Sequence, residues 1–302
     1  MTTLPEVRVG DPIRHEALTV FPLFSPPDEA NDYLLSDEAL AAGSITVEEV
    51  SEGGSVPILL VINSGDSRVL FLEGEELKGA KQNRVLNTSV LVAARSRTPI
   101  PVSCVEQGRW RYRSKNFSSG GSHSSSKLRH FLKRSVGESL KSGQGHTSDQ
   151  MAVWGEVSRQ MTSLGSTSET GAMSDTYERH QERLGEFRAR LKYVEGASGI
   201  AAAVGPQVVA VDMFDRPSTC GKVWDRLLSG VVMDALEAAS PAKVAEVADV
   251  EGLLSRLRAA PWEPTPAVGE GQEYRSDSVP LAHASSLVLG ESVLHGSVVV
   301  ES

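Results

Sequence analysis

Residues 68–113, RVLFLEGEELKGAKQNRVLNTSVLVAARSRTPIPVSCVEQGRWRYR, crowd carboxylates, cations, amides and a cysteine between strongly apolar runs. Glu73, Glu75, Lys78, Gln82, Asn83 and Arg84 fall on a turn and the strand after it, while Cys104, Glu106, Arg109 and Trp110 follow a second apolar run. Guanidinium forks match phosphate and carboxylate geometry, and an aromatic ring adds a stacking face. The ligand-binding candidates are therefore Glu75, Lys78, Gln82, Asn83, Arg84, Arg109 and Trp110, directed at a small anionic, nucleotide-like ligand. Arg84 and Arg109 are expected to face one pocket, because antiparallel pairing of the strands they bracket brings those outer ends together. Between them, Glu75 and Glu106 or a bound anion would relieve the repulsion. The carboxylates available for acid/base or metal chemistry are Glu75, Glu106, Asp212 and Asp215. The last two flank Met213-Phe214 where a buried run meets a helix start, a position that suits helix capping at least as well.

Three sharper motifs fail or weaken on inspection. Gly74 to Lys81 resembles a phosphate-binding loop, but an alanine precedes the lysine, Gln82 stands where a hydroxyl is needed, and the next segment reads as strand. Cys104 shares a strand face with Val102 and Glu106, and a neighbouring carboxylate favours the neutral thiol, so it reads as a buried structural cysteine rather than a nucleophile. Only a histidine brought in by the fold, with His283 and His295 best placed, would change that. No clustered metal-ligand pattern exists, so no metal is expected, and no cofactor is indicated. Residues 107–137 carry eight Lys or Arg and no acid. Strand alternation in RWRYRSK would put Arg109, Arg111, Arg113 and Lys115 outward and Trp110 and Tyr112 inward. The basic stretch from Arg109 to Arg134 is a candidate nucleic-acid contact, or else a charged edge strand that resists aggregation.

The elements that must position these groups are mixed. The 302 residues form one large domain or two modest ones, with 40% hydrophobic residues and a net charge of −9, which argues against a surface built wholly for nucleic acid. The two cysteines, Cys104 and Cys220, match no zinc spacing and point to free thiols in a reducing compartment. No run of about 18 apolar residues suggests a membrane span, and the first residues lack a signal pattern, so a cytoplasmic protein is expected. Residues 17–25 read as a first strand, and residues 37–43 as a short helix with Ser36 as N-cap. Residues 58–62 and 69–72 read as a hairpin around Asn63-Ser64-Gly65-Asp66. Strands are expected over 88–93 and 100–106, and a mobile loop over 118–126, SSGGSHSSS. Apolar spacing then predicts helices within 127–195, a hairpin around Gly205-Pro206, and a long helix capped by residues 217–219. A helix ending near Arg258 should follow Pro241, with two or three tail strands around Gly290-Glu291. The expected fold class is α+β. An antiparallel core from residues 1–118 and 200–302 frames a helical insertion at 127–195, all within a single domain over 1–302.

The runs FLEGEELKGAKQNRVLNTSVLVAA and IPVSCVEQGRW resemble a bacterial domain family named for association with ADP-ribosylglycohydrolase (ARG) and rhodanese-phosphatase genes. SDQMAVW at 148–154, VVAVDMFDRP at 208–217 and LHGSVV near the end extend the similarity over most of the chain. The resemblance implies a role near ADP-ribose, nucleotide or stress-response chemistry by association, and it carries over no catalytic residue. Three functions compete: a module binding an anionic nucleotide or ADP-ribose-like ligand, an enzyme acting on such a ligand through the four carboxylates, and a protein-interaction scaffold.

Overall fold

In the computed structural model, which describes residues 3–28, 30–239 and 242–301, the chain is an α+β protein with mostly antiparallel sheets. Pro241, read above as a helix separator, lies outside the described residues. The largest sheet takes strands from both ends of the chain. Leu18–Phe24 lies beside Gly199–Val204, which forms a hairpin with Gln207–Phe214, and Ser292–Val300, Ala282–Leu289 and Gln272–Ser276 continue outward. Alternation along each strand gives this sheet two apolar faces. Leu18 and Val20 pack toward helix Pro217–Glu237, while Phe21 and Leu23 pack toward helix Val247–Ala259. The predicted meeting of the two ends is present, and the tail also reaches the middle of the chain, where His295 contacts Ser89 next to strand Val90–Val92.

Two smaller sheets hold residues 33–123. One runs Val90–Val92, Arg68–Phe71, Tyr33–Leu35; the other runs Phe117–His123, Glu75–Gly79, Arg84–Leu86, Ser96–Cys104, Ile58–Asn63, Ile45–Glu49. The expected hairpin of 58–62 with 69–72 does not form, because its two arms belong to different sheets. Asn63 makes the switch: its side chain donates to Ser67 O and Ala93 O and accepts from Gly65 N, so the turn is anchored to a third segment rather than closed on itself. The insertion comprises helices Ser126–Lys141, Gln150–Ser163, Met173–Arg179 and Gln181–Arg190.

Three local expectations are corrected. Ser36 does not cap its helix, which spans Ser36–Ala41 with Leu35 at the N-cap; the buried hydroxyl bonds Glu75 instead. The serine- and glycine-rich segment is not a mobile loop. It forms strand Phe117–His123, then buries Ser122 through Ser126, with Ser125 capping the next helix. Residues 109–116 form no strand, so the alternation fails: Arg111, Arg113 and Lys115 are exposed as expected, but Arg109 is buried, and Trp110 and Tyr112 are 48% and 51% exposed.

Candidate ligand-binding site

The turn Leu72–Gly74 leads into strand Glu75–Gly79 and sends three wholly buried glutamates to three different partners. Gly74 has φ +79°, and even a Cβ there would lie 2.7 Å from His123 Cε1, so the close approach admits only glycine. Glu73 accepts from Lys133 and, at 3.3 Å each, from Ser285 and Ser297. Burial raises its pKa, but Lys133 and Arg129 outweigh that and hold it below the usual carboxylate range. Glu75 is bound by Ser36 and by Leu72 N at 3.1 Å, with Arg226 3.6 Å away. Glu76 accepts from Ser122.

Opposite Glu73, the inner face of the large sheet is polar where cross-strand partners coincide: Asp212 faces Ser297, and Ser297 faces Ser285. Asp212 takes a bidentate ion pair from Arg129 at 2.9 and 2.6 Å and a bond from His295 Nε2 at 3.1 Å, and His295 Nδ1 lies 2.7 Å from Ser89 Oγ. Arg129 and His295 thus hold Asp212 far below the usual range against the effect of burial. The charges of this network balance, as a buried ionic cluster requires, although Arg129 Nε, 3.8 Å from Glu73 Oε1, has no hydrogen-bond partner. Asp215 lies apart from it, accepting from Tyr33 Oη at 2.5 Å, and burial pushes its pKa up to about 6. Glu106 is a fourth, separate case.

Glu106 and Arg109 form a saturated brace. Arg109 Nε and NH2 contact the two Glu106 oxygens at 2.7 and 2.6 Å, NH1 donates to Ala80 O and Arg111 O, and NH2 also reaches Gly79 O and Asn83 Oδ1. The free oxygen capacity of Glu106 goes to Asn83 N and Thr170 Oγ1, each at 2.9 Å. Gln82 donates to Glu106 O, and Asn83 Nδ2 reaches Ser174. Glu106, Arg109, Gln82 and Asn83 therefore knit a turn together and leave no donor of Arg109 for a ligand. Cys104 belongs to the same packing. Its sulfur sits 3.4 Å from both Glu106 N and O, and burial raises its pKa against the pull of Arg84. His283 and His295 pair with Asp277 and Asp212 rather than with this thiol.

Arg84 is different. It is completely buried, yet only NH1 is hydrogen-bonded, to Gln82 Oε1 at 3.1 Å and Asn83 O at 3.4 Å; Nε and NH2 have no acceptor. The nearest carboxylate, Glu49, stands 4.0 Å from NH2, and both of its oxygens are buried without partners. Burial lowers the Arg84 pKa, opposed by Cys104 and Glu49 and reinforced by Arg109 nearby. Arg84 and Arg109 are close enough to interact, but they do not face the one pocket expected of them, because Arg109 is committed to Glu106 and the backbone while Arg84 stands by Glu49. Above Arg84 lies the Trp110 ring, with its centroid 5.8 Å from the guanidinium carbon. Lys81 Nζ sits 5.1 Å from the Trp110 and Tyr112 centroids alike and ties them to loop residues 52 and 53 through their carbonyls. A groove of about 830 Å³ runs alongside, lined by Glu49, Glu52, Tyr112, Arg113 and Lys115. The arrangement offers unpaired buried donors and acceptors next to exposed aromatic faces and rim cations.

None of the sequence candidates lines this groove: Arg84 lies behind it, 4.0 Å from the lining residue Glu49, and Trp110 adjoins it through Lys81, which sits over both Trp110 and the lining residue Tyr112. Gln82 acts as a support, Asn83 and Arg109 are turned inward, and Lys78 stands elsewhere, 3.2 Å from Glu178. The four candidate carboxylates occupy four separate environments. Glu49, Glu76, His123 and Arg226 were missed. The Glu-Glu doublet at 75–76 was a usable signal, since strand alternation sends adjacent residues to opposite faces, whereas nothing local marked His123 within its serine run.

Among the described residues, no His, Cys, Asp and Glu group converges as metal ligands, and no helix is long and apolar enough to cross a membrane. Neither the curated proteins nor the solved structures contain a match to this chain. The model of the ARG and Rhodanese-Phosphatase-superfamily-associated Protein domain family does match, over residues 6–299, and the chain belongs to that family.

Proposed function

We propose that the chain is a binding module for an anionic, nucleotide-like ligand of the ADP-ribose class, held in the groove beside Arg84. Tyr112 presents a ring face to a base, with the exposed Trp110 ring beside it across Lys81, Arg113 and Lys115 counter phosphates at the rim, and Glu49 accepts from an amino or hydroxyl group of the same ligand. The observation that carries this reading is the Arg84 guanidinium, wholly buried with two nitrogens lacking acceptors. An unsatisfied charged donor costs about 1–3 kcal/mol or more, and a bound acceptor removes that cost. The family name, which links these domains to ADP-ribosylglycohydrolases, supports the ligand class. The dispersal of Glu75, Glu106, Asp212 and Asp215 favours binding over catalysis by that set.

The test is thermal shift with ADP-ribose, ADP and NAD, together with Trp110→Phe to assign any fluorescence change. A bound ligand stabilises by mass action, about 2.7 kcal/mol at a hundredfold excess over Kd. Arg84→Met should keep the fold and abolish the shift. Absence of a shift with all three compounds, or an undiminished shift in Arg84→Met, would defeat the proposal.

A further inference from the structure

A second cleft of about 430 Å³ lies between strand Phe117–His123 and the helices of residues 173–190, lined by Lys78, Ser122, Tyr177, Arg188 and Ser229 among others. Its wall is a β-bulge. Pairing of this strand with Glu75–Gly79 runs Phe117 to Gly79, Ser118 to Lys78 and Ser119 to Leu77, then resumes only at His123 opposite Glu75. Gly120, Gly121 and Ser122 therefore arch across the single residue Glu76, and such bulges recur beside functional sites. Gly120 lines the cleft and packs so closely that an added Cβ would lie 2.8 Å from Glu76 Cβ, O and Oε2. Gly120 thus touches both the cleft and the carboxyl.

Glu76 Oε2 accepts from Ser122, but Oε1 is buried with no partner. A glutamine would fill the same space and keep the Ser122 bond without a charge to desolvate, so the fold has no need of the ionised carboxyl. At the rim, Lys78 is shared with Glu178, whereas the Arg188 Nε is buried and unpartnered. Hydroxyl acceptors inside and a cation at the mouth define a ligand with hydroxyls at one end and an anionic group at the other.

We propose that this cleft binds a phosphorylated sugar, with Glu76 taking a sugar hydroxyl through the Gly120–Gly121 arch and Arg188 holding the phosphate. Burial raises the Glu76 pKa to about 7, against the pull of Lys78 and Ser122, so near neutrality the carboxyl does not set a full negative charge against the phosphate. The site is separate from the Arg84 groove and stands or falls without it.

The experiment is calorimetry and ligand-detected NMR on the full chain with D-ribose 5-phosphate, D-glucose 6-phosphate and the two free sugars. At least one sugar phosphate should bind. Glu76→Gln should weaken that sugar phosphate and its free sugar alike, by several-fold, because the amide oxygen is a weaker acceptor than the partly ionised carboxyl. Arg188→Ala should weaken the phosphorylated form about tenfold and leave the free sugar unchanged. Arg84→Met should alter neither. If Glu76→Gln fails to fold by circular dichroism, Ser122→Ala, which removes one hydroxyl and leaves the carboxyl, should weaken the sugar phosphate several-fold. No binding of either sugar phosphate, full binding in Glu76→Gln (or, where that variant does not fold, in Ser122→Ala), or loss in Arg84→Met would overturn the proposal.

Discussion

Two buried arginine–glutamate pairs lie close together in this molecule and behave oppositely. Arg109 and Glu106 are joined by two short bonds, and every remaining donor and acceptor is satisfied by nearby backbone and side chains. Arg84 and Glu49 stop 4.0 Å apart, and between them four polar atoms have no partner. Residue type does not distinguish the pairs, and neither does burial. What separates them is completion: a finished pair braces a turn, whereas an unfinished one keeps hydrogen-bonding capacity in reserve beside an open groove.

The largest effect should come from breaking the finished pair. Arg109→Ala leaves Glu106 buried without its counter-charge, and about 3–5 kcal/mol of stability should be lost, read as a lower midpoint in urea with unchanged m-value. A midpoint shift worth under about 1 kcal/mol would show that the brace is not structural. Next in size is a pH effect at Glu76. Its folded pKa of about 7 lies above the unfolded value, so the folded state holds the proton more tightly. Its contribution is complete below about pH 4.5 and lost as pH rises through 7, by on the order of 3 kcal/mol. Glu76→Gln should therefore flatten the stability profile between pH 5 and 8 relative to the parent chain. Parallel profiles would contradict the raised pKa.

For the unfinished pair the expected effect is smaller. Arg84→Met exchanges an incompletely bonded cation for an apolar chain of similar length, and stability should change by less than about 1 kcal/mol, or rise. A loss of 3 kcal/mol or more would erase the contrast with Arg109. Smallest of all, Cys104→Ala should leave any ligand-induced thermal shift within a few-fold, and Cys104 should resist iodoacetamide at neutral pH because its thiol is buried and its pKa raised.

The parts of this fold that sequence reveals are those whose signal is local and apolar. The hairpin of Gly199–Val204 with Gln207–Phe214, the helix from Pro217 and the tail strands follow from runs of Val, Ile and Ala interrupted by Gly-Pro or Gly-Glu turns. The runs at 58–63 and 68–71 carry equally clear strand signals, yet no local pattern says that Asn63 will send them to separate sheets. Composition misleads at SSGGSHSSS, because serines look solvated until buried carboxylates appear, Glu76 to take the Ser122 hydroxyl and Asp234 to take the Ser126 backbone N–H. Alternation misleads at RWRYRSK for a related reason: Glu106 and four other oxygen acceptors capture Arg109, and the chain turns rather than extending. Site residues were visible as a class between 73 and 110, but their pairing was not, since Glu49, His123 and Arg226 come from distant segments.

The sharing of one sheet between both ends of the chain sets a schedule for how the molecule is made. Strand Leu18–Phe24 leaves the ribosome well before its partner Gly199–Val204, which is complete only when residue 204 has followed. Until then an apolar strand with Leu18, Val20, Phe21 and Leu23 has only the short strands Arg8–Val9 and Ile13–His15 along one edge, and the backbone of its other edge invites contact with other chains. Contacts so distant in sequence close slowly. Nascent chains halted before residue 204 should therefore remain bound to chaperones, whereas chains extended past residue 300 should collapse into the protected sheet.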